Sequence, residues 1–239
     1  MRQDASRPPA RVRVRESARG RELSVDGTFA SLWRPGRVTT GSVWDALAAP
    51  LLALERLRSP RMLVLVLGLG GGSIARIARA LLPDAHIVGV ELDPDVIDAA
   101  RRHFELDALG LEVVQADARA FLGRERRLFD AVVDDVFVGR GSAVRKPDWL
   151  PDPGLALCAK RVRPGGVLAT NNLDEAARAA RTLSALLGPV TTISVVGYDN
   201  RILAAGPPSL TPRSLRAAVA LDPVLRPTLP QLVFRAAPT

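Results

Sequence analysis

Val64-Leu65-Val66-Leu67-Gly68-Leu69-Gly70-Gly71-Gly72-Ser73-Ile74 is an apolar run that breaks into glycines and then resumes as a segment able to form a helix. Consecutive large aliphatic residues suit a strand buried on both faces, as in a parallel sheet. The glycines permit left-handed backbone angles and let a ligand approach bare main chain at the strand's carboxyl end. A dinucleotide loop of the G-x-G-x-x-G type would place its third glycine at position 73, which is Ser73; the spacing here is G-x-G-x-G, at Gly68, Gly70 and Gly72. Alone, the loop reads equally as a tight strand-to-helix turn, so the flanking sequence decides.

That sequence keeps one rhythm. Short apolar runs at 63–67, 86–90, 111–114, 131–133 and 167–169 alternate with helical stretches, which predicts a largely parallel sheet with helices on both faces. Asp93-Pro94 starts a helix, Asp as cap and Pro at the first helical position, and Arg163-Pro164-Gly165-Gly166 reads as a turn feeding the next strand. Ligands of such sheets collect at the carboxyl ends of the strands, and acids stand there. Glu91 closes the second strand about twenty residues after the glycines, where a carboxylate accepts both hydroxyl hydrogen bonds of a ribose. Asp117, followed by Ala118, closes the third and suits a ligand contact, a helix cap over 118–122, or both. Asp134 and Asp135 close the fourth. Adjacent carboxylates there are costly unless one is solvated or meets a cation, which marks one as functional; Asp135 is preferred, with Asp134 left open.

Upstream, Val12, Val14, Leu23, Val25, Phe29 and Leu32 alternate around the turn pair Asp26-Gly27, predicting a small antiparallel β unit over 11–40. The apolar positions Val43, Leu47, Leu51, Leu54 and Leu57 predict an amphipathic helix over 42–57. The main domain is expected over 41–205, ending in a hairpin of 190–196 with 201–205. Residues 1–10 read as a flexible start, and 206–239 as a Pro-rich tail with one helix near 214–220.

The formal net charge of +8 comes from arginines scattered along the chain, with Lys146 and Lys160 the only lysines. It reads as a solvated, Arg-biased surface rather than a nucleic-acid footprint. One cysteine, Cys158, excludes an intrachain disulfide; with only His86 and His103 beside it, no metal site is expected. No apolar run spans a bilayer, and a reducing cytoplasm fits.

Over roughly 21–205 the chain resembles the spermidine synthase-like family of class I S-adenosylmethionine enzymes. The matching stretches are Arg21-Glu22-Leu23-Ser24-Val25-Asp26-Gly27, Leu47-Ala48-Ala49-Pro50, the loop from Gly68 to Ser73, Val90-Glu91-Leu92-Asp93, Gln115-Ala116-Asp117-Ala118 and Arg163-Pro164-Gly165-Gly166. The resemblance implies a Rossmann-like class I methyltransferase fold behind a β-hairpin preface. It also implies a pocket for S-adenosylmethionine or its decarboxylated form, built from Gly68, Gly70, Gly72, Glu91, Asp117, Ala118 and Asp135, a small-molecule acceptor, and a homodimer. The chain departs from the family where polyamines are handled. Gly71 stands where an Asp holds the amino end of the donor, Val138 replaces the second acid of an Asp-x-x-Asp pair begun by Asp135, and Ala30 replaces a Gln. Val43, Trp44 and Asp45 replace Tyr-His-Glu. Polycations need paired carboxylates, so methyl transfer is expected over aminopropyl transfer, with Asp135 as base or acceptor-orienting group. A degenerate nucleoside-binding scaffold is the remaining alternative. The acceptor is expected between the fourth strand, segment 139–149 and Trp44, with Trp149, Arg140 and Arg145 as further candidates.

Overall fold

The computed structural model describes residues 11–57 and 62–237; residues 1–10, read above as a flexible start, lie outside them. Strands β1 (Val12–Ser17), β2 (Gly20–Val25) and β3 (Thr28–Trp33) form an antiparallel meander. Asp26 and Gly27 take φ of 49° and 79°, the left-handed pair that a two-residue hairpin turn requires. One face of this unit sets Leu23 and Trp33 against Val96, Ala99 and Phe104 of the main domain. Glu22 is buried within it: burial pushes its pKa up, but hydrogen bonds from Ser17, Arg15 and Arg19 outweigh that and hold it below the ordinary glutamate value.

The expected helix over 42–57 is split. It is α-helical only as α1 (Val43–Ala48) and continues as 3₁₀ turns over Ala49–Leu57. Pro50 has no N–H to donate and its ring crowds the preceding turn; the tighter turns still deliver Leu51, Leu52 and Leu54 to the core.

The main domain follows as β4 (Leu63–Leu67), α2 (Ser73–Leu81), β5 (His86–Glu91), α3 (Pro94–His103), β6 (Glu112–Gln115), α4 (Ala118–Arg124), β7 (Phe129–Asp134), α5 (Gly154–Ala159), β8 (Val162–Asn172), α6 (Ala176–Leu187), β9 (Val190–Val195), β10 (Arg201–Ala205), α7 (Pro212–Leu221) and β11 (Leu232–Ala236). The strands form one sheet in the order β11-β9-β10-β8-β7-β4-β5-β6. The pairs from β6 through to β8 are parallel, and β10, β9 and β11 are added antiparallel. Strand alternation builds two cores: Val64 and Val66 point to one face, covered by α1, α2 and α7, and Leu65 and Leu67 to the other, covered by α4, α5 and α6.

Two expectations shift. The tetrad Arg163-Pro164-Gly165-Gly166 lies within β8 rather than before it; the register with β7 jumps from Phe129↔Val162 to Ala131↔Val167, an irregularity that accommodates a proline. Segment 206–239 is woven into the domain over its described part. Thr211 caps α7 through Ser214, Leu215, Val219 and Leu225 are buried in the main core, and β11 extends the sheet past β9. Leu225→Ala is therefore expected to cost about 2–5 kcal/mol in urea denaturation; a change below about 0.5 kcal/mol would mark the segment as peripheral.

Candidate active site

The carboxyl ends of β4, β5, β6 and β7 open into a cavity of about 640 Å³, within the range of cofactor sites. Gly68, Gly70, Glu91, Asp117, Ala118 and Asp135 all line it. Gly68 has φ +77°, and a Cβ there would stand 2.6 Å from the Asp135 carbonyl oxygen, so only glycine lets the ends of β4 and β7 meet. Glu91 is clamped by its own loop: Oε2 accepts from Gly70 N at 2.9 Å and Oε1 from Asp93 N at 3.1 Å. Burial pushes its pKa up against those backbone donors. Asp117 sits at the exposed rim and caps α4, accepting from Ala120 N at 2.8 Å. Gly72 departs from expectation. It is buried at the start of α2 with Leu106 where its Cβ would be, and it does not line the cavity.

Asp134 and Asp135 diverge. Asp134 is fully buried; its Oδ2 accepts from Lys146 Nζ at 2.7 Å and Thr170 Oγ1 at 2.6 Å, and its Oδ1 from Val136 N at 3.0 Å. Asp135 turns to the cavity, where Trp44 Nε1 donates to one oxygen and Asn171 Nδ2 to the other, each at 2.8 Å. Asn171 is itself oriented by Asn200 Nδ2, which donates to its Oδ1 at 2.9 Å. Burial pushes the Asp135 carboxyl up to about 6, against the Asn171 hydrogen bond, the Lys146 charge and the Trp44 hydrogen bond.

Trp44 packs edge-on against Phe29, ring centres 5.1 Å apart, and together with Trp149 and Val138 it gives this end of the cavity apolar walls. Arg140 and Arg145 are exposed and engage Asp26 and Asp148. Asp45 is buried away from the cavity and holds residues Thr40 and Gly41 by their amides and the Thr40 hydroxyl. Gly71 leaves no space for the Asp of the polyamine pattern: its Cβ would fall 2.9 Å from that of Ser31, whose hydroxyl accepts from Gly71 N at 2.7 Å. Sequence reading missed Asn171, Asn200 and Lys146. Asn171 carried a signal, a polar residue at the end of a parallel strand; Lys146 carried none, because it lies in a loop and its partner, Asp134, stands twelve residues earlier at the end of β7.

Residues 64–166 match the model of a methyltransferase domain family. The chain is 34% identical over 180 residues to a polyamine aminopropyltransferase of Chromobacterium violaceum, covering 68% of this chain and 66%, just under two thirds, of that relative. Among solved structures, a probable spermidine synthase from Corynebacterium glutamicum superposes with a TM-score of 0.75 at 17% identity, covering 95% of this chain and 87% of that one. Human methyltransferase-like protein 13 in complex with SAH superposes at 0.63 with 24% identity, covering 79% and 92%.

The raised pKa of Asp135 carries a stability signature. A carboxyl whose folded value lies above its unfolded value adds stability below about pH 4 that is lost as pH rises toward 6. The difference in unfolding free energy between wild type and Asp135→Asn is thus expected to decline from pH 4 to 6 and then level off; a flat difference across that window would refute the shift.

Proposed function

We propose that this chain, a spermidine synthase-like protein of the class I methyltransferase fold, binds S-adenosylmethionine and transfers its methyl group to a small acceptor of low positive charge. The observation that carries this reading is the isolation of Asp135. Its partners are the neutral Trp44 and Asn171, its neighbour Asp134 is committed to Lys146, and Val138 adds no second acid. A polycation finds one carboxylate here, with a buried ammonium near it. An acceptor with an apolar body and one ionisable O–H or N–H finds apolar walls and a proton acceptor.

The residues present fit the donor. Glu91 is positioned for a ribose diol, Asp117 for an adenine amino group, and the glycine loop gives close access at Gly68 and Gly70. When bound, the donor supplies a methyl group already activated by its sulfonium. Asp135 takes the acceptor's proton; a carboxyl titrating near 6 is ionised at neutral pH and still basic enough to be useful. Trp44 and Asn171 hold it in one orientation, and the aromatic walls align the acceptor and exclude water.

Aminopropyl transfer from the decarboxylated donor is the second reading, favoured by the kinship to the Chromobacterium violaceum relative. Isothermal titration with both donors separates the two. Preference for S-adenosylmethionine, lost in Glu91→Ala, is the expected result; preference for the decarboxylated donor would establish the second reading, and binding of neither would leave a degenerate scaffold. With an acceptor in hand, Asp135→Asn is expected to lower kcat by about 10²–10⁴-fold with donor affinity retained. Wild-type kcat/KM should fall about tenfold per pH unit below about 6, and activity independent of pH there would remove Asp135 as the base.

A further inference from the structure

Two residues that line the cavity carry hydroxyls with no hydrogen-bond partner among the described residues, Thr28 Oγ1 on β3 and Ser42 Oγ immediately before α1. Both atoms are buried, and Ser42 as a whole is 1% exposed. Buried hydroxyls are ordinarily paired, and leaving them unpaired is costly. They are not scattered. Thr28 precedes Phe29, Ser42 lies two residues before Trp44, and the Phe29 and Trp44 rings are in contact. Both residues thus lie within two positions in the chain of the aromatic wall beside Asp135, and both line the same cavity.

The glycine loop explains what they are for. Gly68 N and Leu69 N donate to Val90 O, Gly70 N to Glu91, Gly71 N to Ser31 Oγ and Gly72 N to Leu69 O. Every amide from 68 to 72 is spent inside the protein, so a ligand carboxylate next to this loop gains no hydrogen bond from it. Strand β3 lies directly over the loop: a Cβ on Gly70 would stand 2.8 Å from Ser31 Oγ and 3.1 Å from Ala30 O. The unpaired hydroxyl of Thr28 belongs to that same strand.

We propose that Thr28 and Ser42 form the subsite for the α-carboxylate of the intact donor, and so determine selection against its decarboxylated form. The inference rests on the methyl-donor reading above and names the groups behind it. Two neutral O–H donors suit a carboxylate bordering the acidic Asp135, where they stabilise the anion without drawing in a polycation. Packing at Gly71 has removed the acid that would otherwise hold an amino end, and the hydroxyls supply recognition of the opposite charge.

The test uses binding alone. Wild type, Ser42→Ala, Thr28→Val and the double variant are titrated with S-adenosylhomocysteine, which carries the carboxylate, and with 5′-methylthioadenosine, which lacks the amino-acid end. Each single variant is expected to lose about tenfold in affinity for S-adenosylhomocysteine, the size of one charge-assisted hydrogen bond. Binding of 5′-methylthioadenosine should be unchanged, which also certifies the fold. Unaltered affinity for S-adenosylhomocysteine would overturn the proposal and assign the hydroxyls to the acceptor. Parallel losses for both ligands would overturn it in favour of a role in wall shape. A wild-type preference for the decarboxylated donor over S-adenosylmethionine would instead sink the methyl-donor reading itself. Retention of the normal preference by the double variant would sink only the subsite.

Discussion

The contact between Gly68 and the main chain at Asp135 is the constraint on which the site depends. β4 lies between β5 and β7, so the chain leaves it in one direction and returns on its other side. At that point the strand ends part and a ligand can enter. The Asp135 amide donates to Leu67 O at 2.9 Å, and its carbonyl occupies the space a Gly68 side chain would need. The same backbone approach that shapes the glycine loop therefore delivers the Asp135 carboxylate to its edge. Moving either would move both.

Around that contact the protein separates two adjacent carboxylates by environment. Asp134 enters the core and is neutralised by Lys146, with Thr170 and the Val136 amide satisfying its remaining lone pairs. A buried ion pair of this kind contributes little net stability, yet removing one partner is expensive because the other is left charged and dry. Its effect here is to leave Asp135 as the carboxylate that faces the cavity, held by two neutral donors, one on each oxygen. Adjacent acids acquire different tasks because one meets a cation and the other meets the cavity.

The small N-terminal sheet is part of the site. Ser31 packs under Gly71, Thr28 and Phe29 line the cavity, and Ser73 Oγ ties α2 to the backbone of Leu32. Asp45, standing where the related pattern has a glutamate, fastens the loop that leads into α1 and positions Trp44. Asp45 and Gly71, two of the positions where the chain departs from the related pattern, are engaged in contacts within the protein.

The order of strands and helices, the glycine loop and the acids at the strand ends were legible from the sequence, because each is written in neighbouring residues. Continuous apolar runs bury on both faces of a strand, glycines permit left-handed turns, and Glu91, Asp117 and Asp135 follow directly from where their strands stop. The break at Pro50 was written locally, in the proline itself, and the helical periodicity over 42–57 masked it; the continuation of β8 through Gly165-Gly166 and the burial of Gly72 under Leu106 were not legible, since each is settled by a packing partner distant in the chain. The division between Asp134 and Asp135, the network through Asn171 and Asn200, and the unpaired hydroxyls of Thr28 and Ser42 belong wholly to the tertiary structure. Local sequence determines which backbone conformation a segment prefers; which carboxylate is paired, and which hydroxyl is left unpaired, depends on what other segments bring within hydrogen-bonding distance.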